Sequence, residues 1–362
     1  MKKLLCIILS LVICLTLISC KSEEIIDNVI ENVDDRSENE ALEDTENNGE
    51  SETEKATDQS IEDKTEQKTE QKTEQKTEQK TEQKAEQRTE QKTENESENL
   101  GEILKVMSYN VKNGYINAAR KTYTAEDVMS FMPDTLGVQE FNLRWFNAFT
   151  EKGVFNEYEF VGEQRYGDEK PRDANDNEYS AILYRKGKFR LLDSGTYWLS
   201  ETPTVVNSKL EESKYVRIMT YAVLERISDG ARFVHVNTHL NTTPALNLRQ
   251  VEIMVGLVND KIYSKYGQLP TYYTGDFNID PSANTDNGYK YLISTGTENA
   301  RDVAEATSDE NTIKNGGKID HCVVTKGDFL VTFFDVGDVR ANAGEDDTSN
   351  HLPIYIKMYI KP

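Results

Sequence analysis

The stretch TYYTGDFN, residues 271–278, indicates the fold class. It opens with β-branched and aromatic residues, which favour a buried strand, and it ends in the sequence Gly-Asp-Phe-Asn. Asp276 and Asn278 are two residues apart and point to the same side if the chain is extended there. This spacing predicts a site at the end of a strand, in which one side chain takes a proton and the other donates a hydrogen bond. The alternative is an Asx-turn that only ends the strand.

On both sides of this stretch, short β-rich runs are separated by polar turns and a few amphipathic segments. We predict strands at residues 103–109, 135–138, 179–184, 218–224, 232–236, 271–274, 318–324, 329–335 and 352–360. We predict helices at residues 125–131 after a Thr124 cap, at 143–149, and at 244–263 with Pro244 in the first turn. Many strands with few long helices indicate a mixed α/β sandwich, because a doubly wound sheet would alternate more regularly.

Seven short motifs with polar residues lie at or near the ends of these strands. They are SYNV (108–111), GVQE (137–140), EYSAILYR (178–185), NTHL (237–240), GDFN (275–278), KIDH (318–321) and SNH (349–351). In this order they resemble the endonuclease/exonuclease/phosphatase superfamily, whose members include deoxyribonuclease I, apurinic endonucleases, bacterial sphingomyelinases and inositol polyphosphate 5-phosphatases. The segment DSGTYWLSETP (193–203) also resembles uncharacterised bacterial members. The resemblance spans about residues 105–360 and implies a four-layer sandwich, in which two packed mixed β-sheets are flanked by helices.

The resemblance implies a site for a divalent metal, Mg²⁺ or Mn²⁺. Asn110 and Glu140 match metal-binding residues of the family, and their oxygens are hard ligands that suit Mg²⁺. Otherwise Glu140 is a surface acid at a turn and Asn110 a turn former. The family's Ser-Asp-His motif is SNH here, so the metal-binding set includes Asn350, an amide in place of a carboxylate, and metal affinity should fall. Asp346 and Asp347 are close in sequence, but their spacing assigns neither as a substitute.

The same resemblance implies roles around the GDFN motif. Asp276 would be the base or the water-orienting carboxylate, and Asn278 would contact the phosphate. Arg217 corresponds to a family arginine that binds substrate phosphate, for which a bidentate guanidinium is suited. Its alternative is an exposed charge at a strand end. Arg165 and Trp198 are weaker candidates for a substrate rim.

Two histidines match the active-site histidines of the family, His239 and His351. An imidazolium can hold a phosphate oxygen or assist a leaving group if a carboxylate raises its pKa and fixes its ring. By resemblance, Glu178 would pair with His239. Asp320 would pair with His351. The two other histidines adjoin these motifs and are expected to pack structurally, His235 and His321.

Residues 1–20 carry the marks of an exported protein. Two lysines precede an apolar run and a small-residue end, the order of a secretory signal that is too short to span a membrane comfortably. The segment LISC (17–20) resembles a bacterial lipobox, which implies lipidation of Cys20 and an extracytoplasmic, membrane-anchored location. The alternatives are an ordinary cleaved signal or an uncleaved anchor. Cys322 would be the one cysteine of the folded domain, which excludes an internal disulfide there.

Residues 21–99 are expected to form a disordered acidic spacer. They contain 27 Asp/Glu against 11 Lys/Arg and no aromatic residue, so they cannot bury enough apolar surface to offset chain entropy. The tetrad Thr-Glu-Gln-Lys recurs over residues 65–92, which stacks like charges at i,i+4 spacing and opposes helix. A partly helical rod is the alternative. As a coil, the segment would span roughly 50 Å and hold a domain away from a membrane.

Residues 100–362 are predicted to be the catalytic domain, with a net charge of −8. An acidic domain is not an obvious sequence-independent binder of nucleic acid, because phosphate-backbone affinity rests on Lys and Arg. We therefore predict a monomeric, membrane-tethered, metal-dependent hydrolase of phosphate esters, a phosphodiesterase, nuclease or phosphatase, for which nucleic acid is at most a substrate. Two alternatives stay open. One is a catalytically attenuated surface module that binds a phosphorylated ligand, motivated by Asn350, and the other is an adhesin whose functional element is the spacer.

Overall fold

The computed structural model describes residues 100–362, except residues 115, 168–175, 315, 339 and 341–342. The predicted signal segment, the lipidated Cys20 and the acidic spacer lie outside the described residues. Within the described part of the chain, no helix has the length and apolar character needed to cross a membrane.

Thirteen strands are found among the described residues. They are β1 (Leu104–Asn110), β2 (Thr135–Phe141), β3 (Tyr158–Val161), β4 (Tyr179–Arg185), β5 (Phe189–Trp198), β6 (Ile218–Arg226), β7 (Arg232–His239), β8 (Thr271–Asp276), β9 (Thr297–Asn299), β10 (Ala306–Thr307), β11 (Asp320–Thr325), β12 (Phe329–Val336) and β13 (Ile354–Ile360). Every predicted strand overlaps one of these. The sequence did not predict β3, β5, β9 and β10, which are short or, in β5, interrupted by the polar sequence Asp193-Ser194.

Helices connect the strands and flank the sheets. They are α1 (Ala118–Phe131), α2 (Leu143–Glu151), α3 (Val154–Glu157), α4 (Pro244–Leu257), α5 (Ser264–Tyr266), α6 (Gly288–Ser294) and α7 (Ala300–Val303), with a π-helical turn over Val258–Tyr263 that joins α4 to α5. The predicted Thr124 cap is wrong. Asn117 caps α1 instead, because its side chain accepts a hydrogen bond from the Arg120 backbone N–H, and Thr124 is buried inside the helix.

The strands form two mixed sheets. The first has the order β10-β12-β13-β1-β2-β4-β3 and the second the order β5-β6-β7-β8-β11-β9. Strand β1 runs parallel to β2, and β7 runs parallel to β8, whereas β13 and β11 join their neighbours antiparallel. The carboxyl ends of β1, β2, β7 and β8 therefore carry the predicted site motifs.

Hydrophobic side chains fill three layers in the described part of the chain. Val106 of β1 and Tyr272 of β8 lie in the layer between the sheets. Met107, the next residue of β1, faces the opposite way and packs in the layer that holds Trp145 of α2. Met254 of α4 covers the outer face of the second sheet. This alternation along the strands produces the predicted four-layer sandwich of two β-sheets flanked by helices, which is confirmed.

Gly275 tests the close approach of β7 and β8. A Cβ added at Gly275 would lie 2.2 Å from the backbone oxygen of Thr238 on the parallel neighbour, which cannot swing away as a flexible side chain could. We expect Gly275→Ala to lower the free energy of unfolding by about 3 kcal/mol, because one strand must shift to relieve the overlap. Chemical denaturation of residues 100–362 measures the change.

Gly267 supplies the control for this prediction. It has a φ of +77°, and a Cβ there would meet nothing within 4 Å. Its ψ of 174° places it in a region that is essentially restricted to glycine, so Gly267→Ala should cost only the backbone strain, about 1 to 2 kcal/mol. Equal losses in the two variants would contradict the packing argument.

Candidate active site

The register of the second sheet brings three predicted site residues side by side. His239 ends β7 and lies opposite Asp276, the last residue of β8. Asp320 begins β11 and lies opposite Asp276 from the other side. Asn110 ends β1 of the first sheet, and its amide Nδ2 donates to Asp276 Oδ2 at 3.0 Å. The site thus lies across the two sheets at one end of the sandwich.

Asp276 is 2% exposed, and its two carboxylate oxygens have different surroundings. Oδ1 accepts the backbone N–H of Asn278 at 2.9 Å, which is the Asx-type contact considered as the alternative function of this motif. Oδ2 faces Asn110 and lies 3.5 Å from His239 Nε2 and 3.6 Å from His351 Nε2. Burial, followed by the nearby Asp320 charge, raises the pKa of Asp276 to about 7. This carboxyl can therefore exchange a proton near neutral pH.

His351 lies between two carboxyl groups. Its Nδ1 is 2.8 Å from Asp320 Oδ2, the contact that the family resemblance implied, and its Nε2 faces Asp276. Burial lowers the pKa of His351, but Asp320 and then Asp276 outweigh burial and raise it to about 9. The ring is therefore an imidazolium at neutral pH. The second oxygen of Asp320, Oδ1, is buried and has no hydrogen-bond partner among the described residues.

His239 lacks the partner that was predicted for it. Its Nδ1 is buried without a hydrogen bond in the described part of the chain, and burial, with the Arg217 charge, lowers the pKa of the ring well below its usual range. Glu178 pairs instead with Arg165 Nη1 at 2.8 Å and accepts from the Asn113 side chain. The predicted Glu178–His239 pair is therefore wrong, because a buried guanidinium attracts a carboxylate more strongly than a neutral imidazole does.

Glu140 reaches the site through an unusual backbone conformation. Its φ is +55°, and the pairing of β2 with β4 is irregular between Val138 and Phe141. Its carboxylate accepts from Asn110 Nδ2 at 3.1 Å and from the Asn113 backbone N–H at 2.8 Å. The sequence reasoning missed Asn113, which connects Glu140 to Glu178. Its one sequence signal is the Lys-Asn-Gly turn that follows the first motif.

Arg217 is buried with an incomplete set of hydrogen bonds. It is 7% exposed, its Nε has no hydrogen-bond partner among the residues that the structure describes, and its guanidinium lies 5.5 Å from the ring centre of Tyr215. Burial lowers its pKa, and Glu178 opposes that shift. The nearby Arg165 and Trp198, predicted for a substrate rim, are instead joined to each other by a hydrogen bond from the indole Nε1 to the Arg165 backbone oxygen, at 2.6 Å. A buried guanidinium with an unused donor suits an anionic ligand.

Asn278 and Asn350 make contacts other than those predicted for them. Asn278 has a φ of +55°, and its amide donates to the Leu240 backbone oxygen at 2.9 Å, so that group is already occupied. Asn350 is exposed, and its backbone oxygen accepts from the Lys314 N–H. No hydrogen bond joins the Asn350 side chain to Asn110 or Glu140 among the described residues.

Asp346 and Asp347, the two acids near Asn350, stabilise their own loop and make no contact described for the site. The backbone oxygen of Asp346 accepts from Arg120 Nε at 2.8 Å, and Asp347 accepts from the Asn117 side chain at 2.7 Å. Both contacts fasten the loop to the start of α1. The remaining histidines pack structurally as predicted: His235 donates or accepts at Thr274 Oγ1, and His321 contacts the Ile279 backbone oxygen.

Two neighbouring groups of side chains offer ligands for a metal ion. Asp276, Asp320 and His351 have ligand atoms within 4.8 Å of one another. However, both ring nitrogens of His351 face carboxylates and the ring is protonated, so it is a poor ligand. Glu140 and Asp276 both contact the Asn110 amide, and these oxygen-rich side chains fit a hard divalent cation better.

The chain is similar to several solved structures. An endonuclease/exonuclease/phosphatase from Bacteroides vulgatus has 24% identity and a TM-score of 0.61, with 72% of this chain and 100% of that chain covered. A mannosyl-6-phosphatase from Bacteroides thetaiotaomicron has 25% identity and a TM-score of 0.58, with 71% and 100% covered. The catalytic domain of human Nocturnin, solved with a bound sulfate anion, has 18% identity and a TM-score of 0.55, with 72% and 94% covered.

No protein-family model and no curated protein sequence matches the chain. The architecture is a sandwich of two mixed β-sheets with polar residues gathered at the strand ends. Its fold is the endonuclease/exonuclease/phosphatase fold, and the resemblance predicted from the seven motifs is confirmed.

The His351–Asp320 contact gives a pH-dependent prediction. Because the folded-state pKa of about 9 lies above the ordinary 6.5, the contact stabilises the fold fully below pH 6.5 and loses its effect as the pH rises through 9. Asp320→Asn should lower the pKa of His351 toward or below 6.5. The substitution removes the largest negative charge that raises this pKa, while burial of the ring continues to lower it. NMR titration of the imidazole signals measures this, and the chain has only four histidines.

Asp309 provides the control, since it is exposed and pairs with Lys318. Asp309→Asn should leave the His351 titration unchanged. A His351 pKa near 9 in Asp320→Asn would show that Asp320 is not what raises it.

Proposed function

We propose that this protein hydrolyses phosphate esters with the help of a divalent metal ion, Mg²⁺ or Mn²⁺. The observation that carries the proposal is the convergence on Asp276 Oδ2 of the Asn110 amide and the two histidine rings, His239 and His351, within 3.6 Å. Similarity to a mannosyl-6-phosphatase and to other members of this fold supports a phosphoester hydrolase in general. The sequence motifs add the expectation of a metal.

The charges of the site suit the steps of this reaction. Asp276, with a pKa near 7, can take a proton from an attacking water. His351 is an imidazolium that can donate a hydrogen bond to a phosphate oxygen or a proton to a leaving oxygen. Arg217 is a buried cation whose charge would attract an anionic phosphate. His239 is neutral, and its Nε2, which lies 3.5 Å from Asp276 Oδ2, is the ring nitrogen that would face substrate or water.

Glu140 would hold the metal next to Asp276, and Asn110 would join it through its amide oxygen, which here accepts from the Lys112 backbone N–H at 3.0 Å. A divalent cation bound there would neutralise phosphate charge and act as a Lewis acid. The role of Asn350 as a ligand stays a prediction, as do the phosphate contact of Asn278 and the monomeric state.

We further propose that a lipid on Cys20 and the acidic spacer tether this domain outside the cell membrane, which the sequence motif LISC and the composition of residues 21–99 support.

Removal of the proposed base tests the reaction. We expect Asp276→Ala to lower kcat for bis-p-nitrophenyl phosphate and p-nitrophenyl phosphate about 10³-fold, because general acid–base groups contribute on this scale. His239→Ala should also abolish most turnover, and EDTA should remove it until Mn²⁺ or Mg²⁺ is restored. Purified residues 100–362 are assayed by release of p-nitrophenol.

Asp260 is an exposed acid on the π-helical turn, away from the site, and Asp260→Ala is the matched control. It should keep full activity. Wild-type turnover that resists EDTA would exclude the metal, and wild-type turnover that survives in the double variant Asp276→Ala/His239→Ala would exclude this site.

The second candidate is an attenuated module that binds a phosphorylated ligand, and the amide at position 350 favours it. If the site is attenuated, Asn350→Asp should raise kcat at least tenfold and lower the Mn²⁺ concentration needed for half-maximal rate, because a carboxylate replaces an amide near the metal. Activity assays over a Mn²⁺ series measure both values. Unchanged kinetics would show that the amide is tolerated, which would remove the reason for this candidate.

A further inference from the structure

A layer of buried polar side chains lies directly beneath the site, between the two sheets. Its members are fully buried: Ser108, Gln139, Asn237, Thr274 and His235. The first four precede site residues by one or two positions, which are Asn110, Glu140, His239 and Asp276 respectively. None of these five has a place in the proposed reaction, although four belong to or adjoin the motifs that carry the family resemblance. Apolar side chains would fill this space at lower desolvation cost, so a polar layer here requires a reason.

Asn237 on β7 is the centre of this layer. Its Nδ2 donates to the backbone oxygens of Val138 at 3.0 Å and Ala181 at 2.9 Å, which belong to β2 and β4 of the opposite sheet. Its Oδ1 accepts from Gln139 Nε2 at 2.7 Å and from Thr274 Oγ1 at 3.0 Å. These four bonds use the whole hydrogen-bonding capacity of the amide. One side chain therefore joins the strands that carry Glu140, His239 and Asp276.

The donated hydrogen bonds of the layer converge on Asn237 Oδ1, from Thr274 on one side and from Gln139 on the other. The hydroxyl hydrogen of Thr274 goes to Asn237, so Thr274 Oγ1 must accept from His235 Nε2, which lies 2.7 Å away. This fixes His235 as the tautomer protonated on Nε2, and its Nδ1 has no hydrogen-bond partner in the described part of the chain. Burial lowers the pKa of His235 to about 3, so the ring is neutral at neutral pH. At the other end, Gln139 donates to Ser108 Oγ at 3.1 Å.

The backbone of the first sheet is shaped around this layer. A Cβ added at Gly137 would lie 2.3 Å from Thr274 Oγ1 and 2.5 Å from Asn237 Oδ1. Gly137 is an ordinary strand residue of β2, so the need for glycine comes from the space that the polar side chains occupy. A side chain at position 137 would therefore displace Asn237 and Thr274 or push the two sheets apart.

We propose that this Asn237-centred layer positions the ends of β1, β2, β7 and β8 for catalysis, with Asn237 and Thr274 as its principal positioning residues. The proposal rests on the proposed function for the nature of the reaction. Hydrophobic packing between the sheets is non-directional, whereas hydrogen bonds fix both distance and angle. A displacement of about 1 Å between reacting groups can cost about 10²-fold in rate. The layer therefore lies where small displacements of the strands would lower the catalytic rate most.

The experiment compares substitutions at two buried threonines. Thr274→Val removes the hydroxyl that links β8 to Asn237, and Thr274→Ser keeps it. Thr135→Val is the control, because Thr135 is also fully buried and its hydroxyl bonds Tyr272 of the other sheet at 2.7 Å, but at the start of β2, the end remote from the site. All three variants are assayed for kcat, KM and melting temperature.

We expect Thr274→Val to lower kcat about 10- to 100-fold with KM changed by less than about twofold. Thr274→Ser should restore kcat to within about threefold of the wild type. Thr135→Val should lose a similar amount of melting temperature and keep its kcat. Full activity in Thr274→Val, or equal losses of kcat in the two valine variants, would overturn the proposal.

A second measurement keeps this test separate from the proposed function. Backbone amides of Asn278 and Asn113 donate to the carboxylates of Asp276 and Glu140, so their hydrogen exchange reports the order of the site without substrate. Both amides should exchange faster in Thr274→Val than in Thr135→Val. Equal exchange would overturn positioning even if the wild type is active. If the wild type hydrolyses no ester, the proposed function fails and the exchange comparison alone decides positioning.

Discussion

The buried carboxyl group of Asp276 is the feature on which the rest of the site depends. A carboxylate removed from water at the end of a central strand is costly unless donors and positive charge surround it. Its two hydrogen-bond donors come from the end of β1 and the turn after β8, and the positive charge of His351 comes from the loop before β13. Both sheets and that loop must be in place before this group is satisfied, so the chemistry of the site and the closure of the sandwich are coupled.

The charges around Asp276 divide the site into two unlike halves. On one side, His351 is held as a cation between Asp276 and Asp320. On the other side, Glu178 is engaged by Arg165, which leaves His239 neutral with a free ring nitrogen and Arg217 with an unused donor. The second half therefore has hydrogen-bonding capacity that the described protein residues do not use.

Strand geometry explains why particular residue types are required at some positions of the motifs. Glycine precedes Asp276 because the parallel neighbour lies too close for a side chain, and Gly137 leaves room for the polar layer below the site. The irregular pairing at the end of β2 turns Glu140 out of the regular strand and toward Asn110. The glycines of the motifs are therefore required by the backbone packing, and the polar residues by the chemistry of the site.

The amino-acid sequence by itself determined nine of the strands, the main helices and most members of the site. Apolar periodicity is a local property, so β1, β7, β8 and β11 could be predicted without coordinates, and the resemblance of the motifs to a known family implied Asn110, Asp276, Asp320 and His351. Edge strand β5 and the early start of α1 were missed, because Asp193-Ser194 interrupts the apolar pattern and Asn117 is a stronger cap than Thr124 in its setting.

Only the tertiary structure decided which side chains pair. Glu178 was predicted to pair with His239, yet it pairs with Arg165, which lies thirteen residues earlier in the chain. Asn113 and the Asn237-centred layer were not recognisable, because their partners lie up to 99 residues away in sequence. The pairing of buried charges depends on distance and desolvation in the folded state, and neither quantity is encoded in a local pattern of residues.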